Sequence, residues 1–221
     1  MAKKSEDEVE ISSFTNERYV QVFRNSISST LLEQLENSAV NLLQACKSKS
    51  DVKRGVSNVL HLGCWRKSSK EITITSDTKE NLHAVTSFCK ENSAIFNITS
   101  QLFKTNYPDL HDYYSKIQLP TRLFGSWASC AVNLVINNSG VKYHNDAHDF
   151  SNELCWVIPF ENYYGANFLF PELAIAIETT PGDILCFRSK LLKHGTTDFI
   201  GYRRSLVLFT SNNVFISCED K

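Results

Sequence analysis

Residues 181–210 read PGDILCFRSKLLKHGTTDFIGYRRSLVLFT, and this stretch decides the fold. Two apolar runs, ILCF and SLVLF, lie between turn residues at PGD and FIG. Runs this short, bounded by Gly, Pro and Asp, read as strands. The same rhythm extends upstream through TTPGD at 179–183, ENYYG at 161–165 and NNSG at 137–140, each read as a turn. Strands are expected at 126–136, 141–144, 153–159, 166–170, 173–178, 183–188, 193–196 and 203–210. Short strands in this number suit a double-sheet jelly roll.

Before residue 120 the pattern changes. Residues 28–47 place Leu31, Leu35, Ala39, Leu42 and Cys46 on one face at helical spacing, with Ser28 or Ser29 as the cap. Residues 77–105 form a second helical segment, opened by a capping box of Asp77 and Glu80 and striped by Leu82, Val85, Cys89, Phe96 and Phe103. EITIT at 71–75 alternates as a strand does, and 109–117 forms a short helix after Pro108. Residues 1–12 are expected as a disordered tail. The remainder, 13–221, is expected as a single domain, with a mixed helical part at 13–120 and a jelly-roll core at 121–221. The expected class is therefore α+β, a jelly-roll core buttressed by N-terminal helices.

Composition narrows the function classes. The 23 basic and 24 acidic residues leave a net charge of −1, which argues against nucleic-acid binding driven by bulk charge but leaves room for a local groove. Neither an apolar signal region nor a run of about 18 apolar residues is present, so no membrane association is expected. The seven cysteines form no C-x-x-C pair and read as free, reduced thiols, which implies an intracellular, cytoplasmic or nuclear, protein. A monomer is expected.

The chemistry centres on His144-Asn145-Asp146 and on His194, 50 residues later. Side chains at i and i+2 of an extended segment point the same way, so His144 and Asp146 can reach one metal. Two imidazoles and a carboxylate are the ligands of a facial triad that holds Fe(II) and leaves positions open for a cosubstrate and O2. His148 is the rival ligand, but only His144 pairs with Asp146 in H-x-D. Downstream, Arg203 can clamp a carboxylate in two-pronged fashion, and Ser205 lies on the same strand face. Alternation does not separate Arg203 from Arg204, because both faces of SLVLFT are apolar.

In combination, HND (144–146), NFLFPEL (167–173), PGDILCFRS (181–189), HG (194–195) and RRSL (203–206) resemble the double-stranded β-helix core of the Fe(II)/2-oxoglutarate dioxygenases. The resemblance covers about the last 95 residues. Within that superfamily the chain is most similar to fungal oxygenases of the TET/JBP-like group, some of which oxidise the methyl of thymine or 5-methylcytosine. The resemblance implies Fe(II) on His144, Asp146 and His194, with 2-oxoglutarate and O2 as cosubstrates. It further implies that Arg203, as the first residue of R-x-S, binds the distal carboxylate of 2-oxoglutarate beside Ser205, and that Asn133 contacts the cosubstrate. The implied reaction is oxidation of a C–H bond with release of succinate and CO2. The substrate could be a methylated nucleobase, a small metabolite or a protein side chain.

Two other classes compete: a non-catalytic jelly-roll binding module, and a metal-dependent jelly roll that does not use 2-oxoglutarate. The intact ligand set opposes the first and the R-x-S pair opposes the second. Trp156 is read as core; Asn167 and Phe168 are either core or pocket wall. Tyr163 and Tyr164 are read as turn aromatics rather than a stacking platform for a base. Arg54, Arg66 and Lys67 could line a substrate groove together but are read in preference as solvated surface, and His61, His83 and His111 are read as structural or exposed.

Overall fold

The computed structural model describes residues 2–5, 8–13, 17–47, 49–51, 54, 56–66, 71–135, 139–150 and 152–219. First in order come β1 (Ala2–Ser5), β2 (Glu8–Ser12), β3 (Arg18–Phe23) and helix α1 (Ser29–Ala45). Strands β4 (Lys49–Asp51), β5 (Val56–Trp65) and β6 (Thr73–Ile74) lead into helices α2 (Ser76–Glu80), α3 (Leu82–Glu91), α4 (Ser93–Asn106) and α5 (Pro108–Ser115). The second half holds β7 (Ser129–Val135), β8 (Cys155–Phe160), β9 (Tyr163–Gly165), β10 (Phe168–Phe170), β11 (Ile175–Ile177), β12 (Ile184–Phe187), β13 (Gly195–Thr196), β14 (Phe199–Gly201) and β15 (Arg203–Phe209), followed by helix α6 (Asn212–Glu219).

Among the described residues, the large sheet runs β1-β2-β3-β12-β8-β15-β7-β5-β4, with β6 on the flank of β5. A small sheet, β11-β10-β13, packs against one face of it, and β9 pairs with β14. Strict alternation along the central strands separates two cores. Trp156 and Ile158 of β8, Leu206 and Leu208 of β15, and Cys130 and Val132 of β7 face the helices. There they meet Leu35, Ala39 and Leu42 of α1, Phe88 of α3 and Phe96 and Phe103 of α4. Cys155, Val157, Leu185 and Phe187 face the other way, against Phe168 and Phe170 of the small sheet. The helices therefore buttress the large sheet, and the space between the sheets is left for a site.

Aromatic rings fill the helix side. Phe103 lies 5.4 Å from Trp127, 5.6 Å from Trp156 and 5.0 Å from Tyr114, centroid to centroid. Phe103→Ala is expected to cost about 3–5 kcal/mol, read as a lowered urea midpoint, because this ring is fully buried and its neighbours cannot collapse into the space.

Several expectations need correction. The tail expected over 1–12 holds β1 and β2; β1 pairs with β2, and β2 with β3. Val9 and Ile11 alternate with Glu8 and Glu10 and pack against the inter-sheet core, which gives this segment an apolar face to bury. The single helix expected over 77–105 is three helices, because Asn81 and Asn92 leave the helical region. Thr75 rather than Asp77 caps α2, accepting from the Thr78 N–H, while the Asp77 carboxylate accepts from the His61 N–H at 3.0 Å. Leu82, placed in the apolar stripe, is exposed. The turns expected at ENYYG and FIG contain β9 and β14, whose residues pair Phe199 with Gly165 and Gly201 with Tyr163. Asn137 and Asn138 of the NNSG turn lie outside the described residues. Segment 141–144 is not a strand; its only bridge joins His144 to His194.

The largest omission is β5. It pairs with β7 along six residues and so lies inside the jelly-roll sheet, as does β3 beside β12. The expected division near residue 120 does not divide the sheet.

Candidate metal and cosubstrate site

The site begins with a backbone bridge. The His144 N–H donates to the His194 carbonyl and the His194 N–H to the His144 carbonyl, each at 2.9 Å. This brings the two imidazoles side by side, 4.3 Å between centroids and tilted by 55°. Gly195 permits the approach: a Cβ there would stand 2.7 Å from the Val141 carbonyl oxygen. Asp146 is fixed by its own N–H, which donates to the Ser189 carbonyl at 3.1 Å.

Among the described residues, His144, Asp146 and His194 form the one group of at least three possible ligands whose donor atoms lie within 4.8 Å of one another. The Asp146 Oδ2 is 3.6 Å from His194 Nε2, and Oδ1 is 3.9 Å from His144 Nε2. The Nδ1 atoms sit 2.8 Å from the Lys142 carbonyl and 2.9 Å from the Leu192 carbonyl. Carbonyls accept only, so each Nδ1 carries the proton and each Nε2 lone pair is free to bind a cation. His148 lines the same cavity but is outside this group.

Burial keeps the imidazoles neutral. It lowers His144 below its ordinary value and pushes His194 down to about 4, assisted by His144 and Arg54 and opposed by Asp146. The folded state thus binds fewer protons at His194 than the unfolded chain does. The associated stability is present above about pH 6.5 and is lost as pH falls through about 4. His194→Asn is expected to flatten this acid limb, checked by urea midpoints across the range.

Arg203 lines the same cavity as the imidazoles. It is 2% exposed, and its guanidinium rests over Phe168 at 5.4 Å and Tyr163 at 5.6 Å. Its Nε is buried without a hydrogen-bond partner, and no carboxylate of the described residues forms an ion pair with it. A buried cation without a counter-charge is costly unless an anion joins it. Ser205, two residues on, faces the same cavity and lies directly opposite Asn133 of β7. Arg204 points to the helix side and pairs with Glu161.

The cavity measures about 560 Å3 and is walled by both sheets. Its lining includes the three convergent residues, Arg203, Ser205, Asn133 and Phe168. It also includes Arg54 and Arg66, for which solvated surface was preferred to a groove, His61, read as structural or exposed, and Trp65, which was not singled out. Their inclusion follows from β5 belonging to the sheet, a pairing that no local pattern announces. Lys67 lies outside the described residues. Trp156 is core, stacked on Phe23 at 5.6 Å. Tyr163 donates its hydroxyl to the Thr179 carbonyl at 2.9 Å, and Tyr164 is exposed. The six cysteines described are free and buried; the Cys218 side chain is outside the described set.

A jelly roll with a His/Asp/His cluster and, in the same cavity, a buried arginine that has no carboxylate partner among the described residues has the features of an Fe(II)/2-oxoglutarate oxygenase. The Tet_JBP family, the oxygenase domain of the 2OGFeDO superfamily, matches residues 58–212, and the chain belongs to that family. It is a dioxygenase, and the superfamily works with Fe(II), 2-oxoglutarate and O2. The match begins in β5, well before the last 95 residues that carried the sequence resemblance.

Among solved structures, NgTET1 in complex with 5mC DNA is similar at 17% identity, covering 93% of this chain and 78% of that one with a TM-score of 0.74. An oxidoreductase of the 2OG-Fe(II) oxygenase family from Burkholderia pseudomallei is similar at 14% identity, 86% and 84% coverage and a TM-score of 0.55. OsALKBH1 is similar at 10% identity, 86% and 96% coverage and a TM-score of 0.52. At these identities the likeness is one of fold. No protein of curated function matches the chain. No helix among the described residues is long and apolar enough to cross a membrane.

Proposed function

We propose that His144, Asp146 and His194 hold Fe(II), that Arg203 and Ser205 bind the distal carboxylate of 2-oxoglutarate with Asn133 beside them, and that the substrate is a methylated nucleobase in DNA. The observation that carries the cosubstrate reading is Arg203: fully buried, without a carboxylate partner, and facing the same cavity as the triad. A dicarboxylate that reaches from the imidazoles to Arg203 supplies the missing counter-charge. The donor set fits Fe(II), since two imidazoles and one carboxylate converge within 4.8 Å of one another and would leave further positions on a cation for a cosubstrate.

When bound, Fe(II) with 2-oxoglutarate and O2 would supply the oxidation of a C–H bond, with one oxygen atom going to the product and the other to succinate as CO2 is released. The chain's own residues orient and shield. The two Nδ1–H bonds to Lys142 and Leu192 hold the rings in the ligating tautomer. Phe187 packs on His194 at 4.7 Å, and Val157 and Phe168 keep water from the space between the sheets. We read the chain as one domain that takes in β1 and β2 as well as residues 13–221, because all of these segments contribute strands to one sheet. Free buried thiols fit an intracellular setting.

The DNA reading draws on the fold shared with NgTET1, whose structure contains 5mC DNA. A cavity of this size also falls within the ordinary range of about 300–1,000 Å3 for small-molecule sites, which admits a base together with the cosubstrate. The test is succinate release with oligonucleotides carrying 5-methylcytosine or thymine, alongside peptides and small metabolites. Turnover with a methylated base, with one oxygen atom added to the product, is the expected outcome. Turnover confined to peptides or metabolites would reject the DNA reading while keeping the dioxygenase.

A further inference from the structure

We propose that Arg54 is a positioning residue of the metal centre, one that braces both members of the H-x-D pair from a loop about 90 residues away. The inference rests on His144, Asp146 and His194 being the iron ligands.

The side chain carries the first brace. Arg54 Nη2 donates to Asp146 Oδ1 at 2.8 Å. A carboxylate can present either oxygen to a cation, and this bond occupies one of them. Oδ2, the oxygen 3.6 Å from His194 Nε2, would be the freer of the two to face a bound cation. Arg54 is itself aimed by Asp51, whose Oδ1 accepts from the Arg54 backbone N–H at 3.2 Å and whose Oδ2 lies 3.4 Å from Nε. Asp51 thus holds the loop backbone with one oxygen and the guanidinium with the other, which restricts where the Arg54 side chain reaches.

The backbone carries the second brace. The Arg54 carbonyl accepts from the Lys142 N–H at 3.0 Å, and the Lys142 carbonyl accepts from His144 Nδ1 at 2.8 Å. Displacing Arg54 would therefore loosen the imidazole as well as the carboxylate.

Magnitudes separate this role from a structural one. The Arg54 side chain is 41% exposed, so its ion pair with Asp146 adds little to folding. The same bond acts strongly on metal affinity, because hydrogen-bond partners of ligands typically change it by about 10–100-fold. The opposing effect is repulsion between the guanidinium and a divalent cation. If repulsion dominated, removal of Arg54 would tighten binding, so the sign of the change decides.

The experiment uses Co(II) as a redox-inert probe, titrated without 2-oxoglutarate or substrate and followed by its visible d–d absorbance. Arg54→Ala is expected to raise the Co(II) Kd by about 10–100-fold and to alter the band shape, with thermal stability nearly unchanged. Arg54→Lys should recover part of the affinity, since it restores the charge without the fork. Asp51→Asn should shift Kd in the same direction as Arg54→Ala, by less. An unchanged or lower Kd in Arg54→Ala overturns the proposal. Should that variant not fold, an unchanged Kd in Asp51→Asn overturns it instead. Failure of the underlying iron reading looks different: wild-type protein would bind no Co(II), or Asp146→Ala would bind it as wild type does.

Discussion

Arg203→Ala is expected to raise the Kd for 2-oxoglutarate by about 30- to 3,000-fold, the loss that follows when one partner of a desolvated charge pair is removed. The guanidinium is 2% exposed, lies across two aromatic rings and has no carboxylate partner among the described residues. Its neighbour provides the control. Arg204 is on the opposite face of β15, paired with Glu161 on the helix side, and Arg204→Ala should change the Kd by no more than a few-fold. Calorimetric titration of both variants checks the pair, and the reverse ranking would reassign the cosubstrate anchor. The same burial gives a second readout. An uncompensated buried charge destabilises the ligand-free fold, so Arg203→Met is expected to leave ligand-free stability equal or higher while abolishing the rise in Tm that 2-oxoglutarate gives the wild type.

Asp146→Ala is the second variant with a large effect. It removes a donor atom and should lower metal affinity and turnover by more than the 10–100-fold that outer partners cost. Folding should change by less than about 1 kcal/mol, since the Asp146 side chain is partly exposed and its ion pair with Arg54 is open to solvent screening. His194→Ala would confound the two readouts, because His194 is buried and packs edge-on against Phe187. Retained metal affinity in Asp146→Ala, read by equilibrium dialysis with atomic absorption, would move the site elsewhere.

How much of this was legible in the sequence differs from element to element. Helix α1 was readable because its buried residues recur at three- and four-residue steps and Ser28 caps it. Strands β8, β12 and β15 were readable as short apolar runs between turns. Strand β5 was not. It is buried on both faces, with Leu60 and Leu62 toward the helices and Val59 and His61 toward the cavity, so it shows no alternation. Its Gly63 also reads as a breaker, although a φ of 99° and a Cβ position 2.2 Å from the Ala128 carbonyl oxygen show why glycine is needed there. The breaks at Asn81 and Asn92 were hidden because a continuous apolar stripe says nothing about where the backbone stops being helical.

The same distinction runs through the site. The convergence of His144, Asp146 and His194 was anticipated from the H-x-D spacing and from a second histidine before a strand. The placement of Arg203 and Arg204 needed the register, which pairs Arg203 with Val135 and Ser205 with Asn133 and so settles which arginine faces the cavity. Arg54 and Arg66 were assigned to the surface in preference to a groove, and His61 and Trp65 were missed, because their place on the cavity wall depends on the β5–β7 pairing, a long-range contact that leaves no mark in the local sequence.

The central claim is that one cavity holds Fe(II) on the His/Asp/His cluster and 2-oxoglutarate between that metal and Arg203. The direct measurement is the visible spectrum of the anaerobic protein with Fe(II) and 2-oxoglutarate. A weak charge-transfer band is expected in the wild type. It should be absent in Asp146→Ala, and in Arg203→Ala it should be recovered only at far higher 2-oxoglutarate. A wild-type protein that shows no band, and forms no succinate with any substrate offered, would contradict the account.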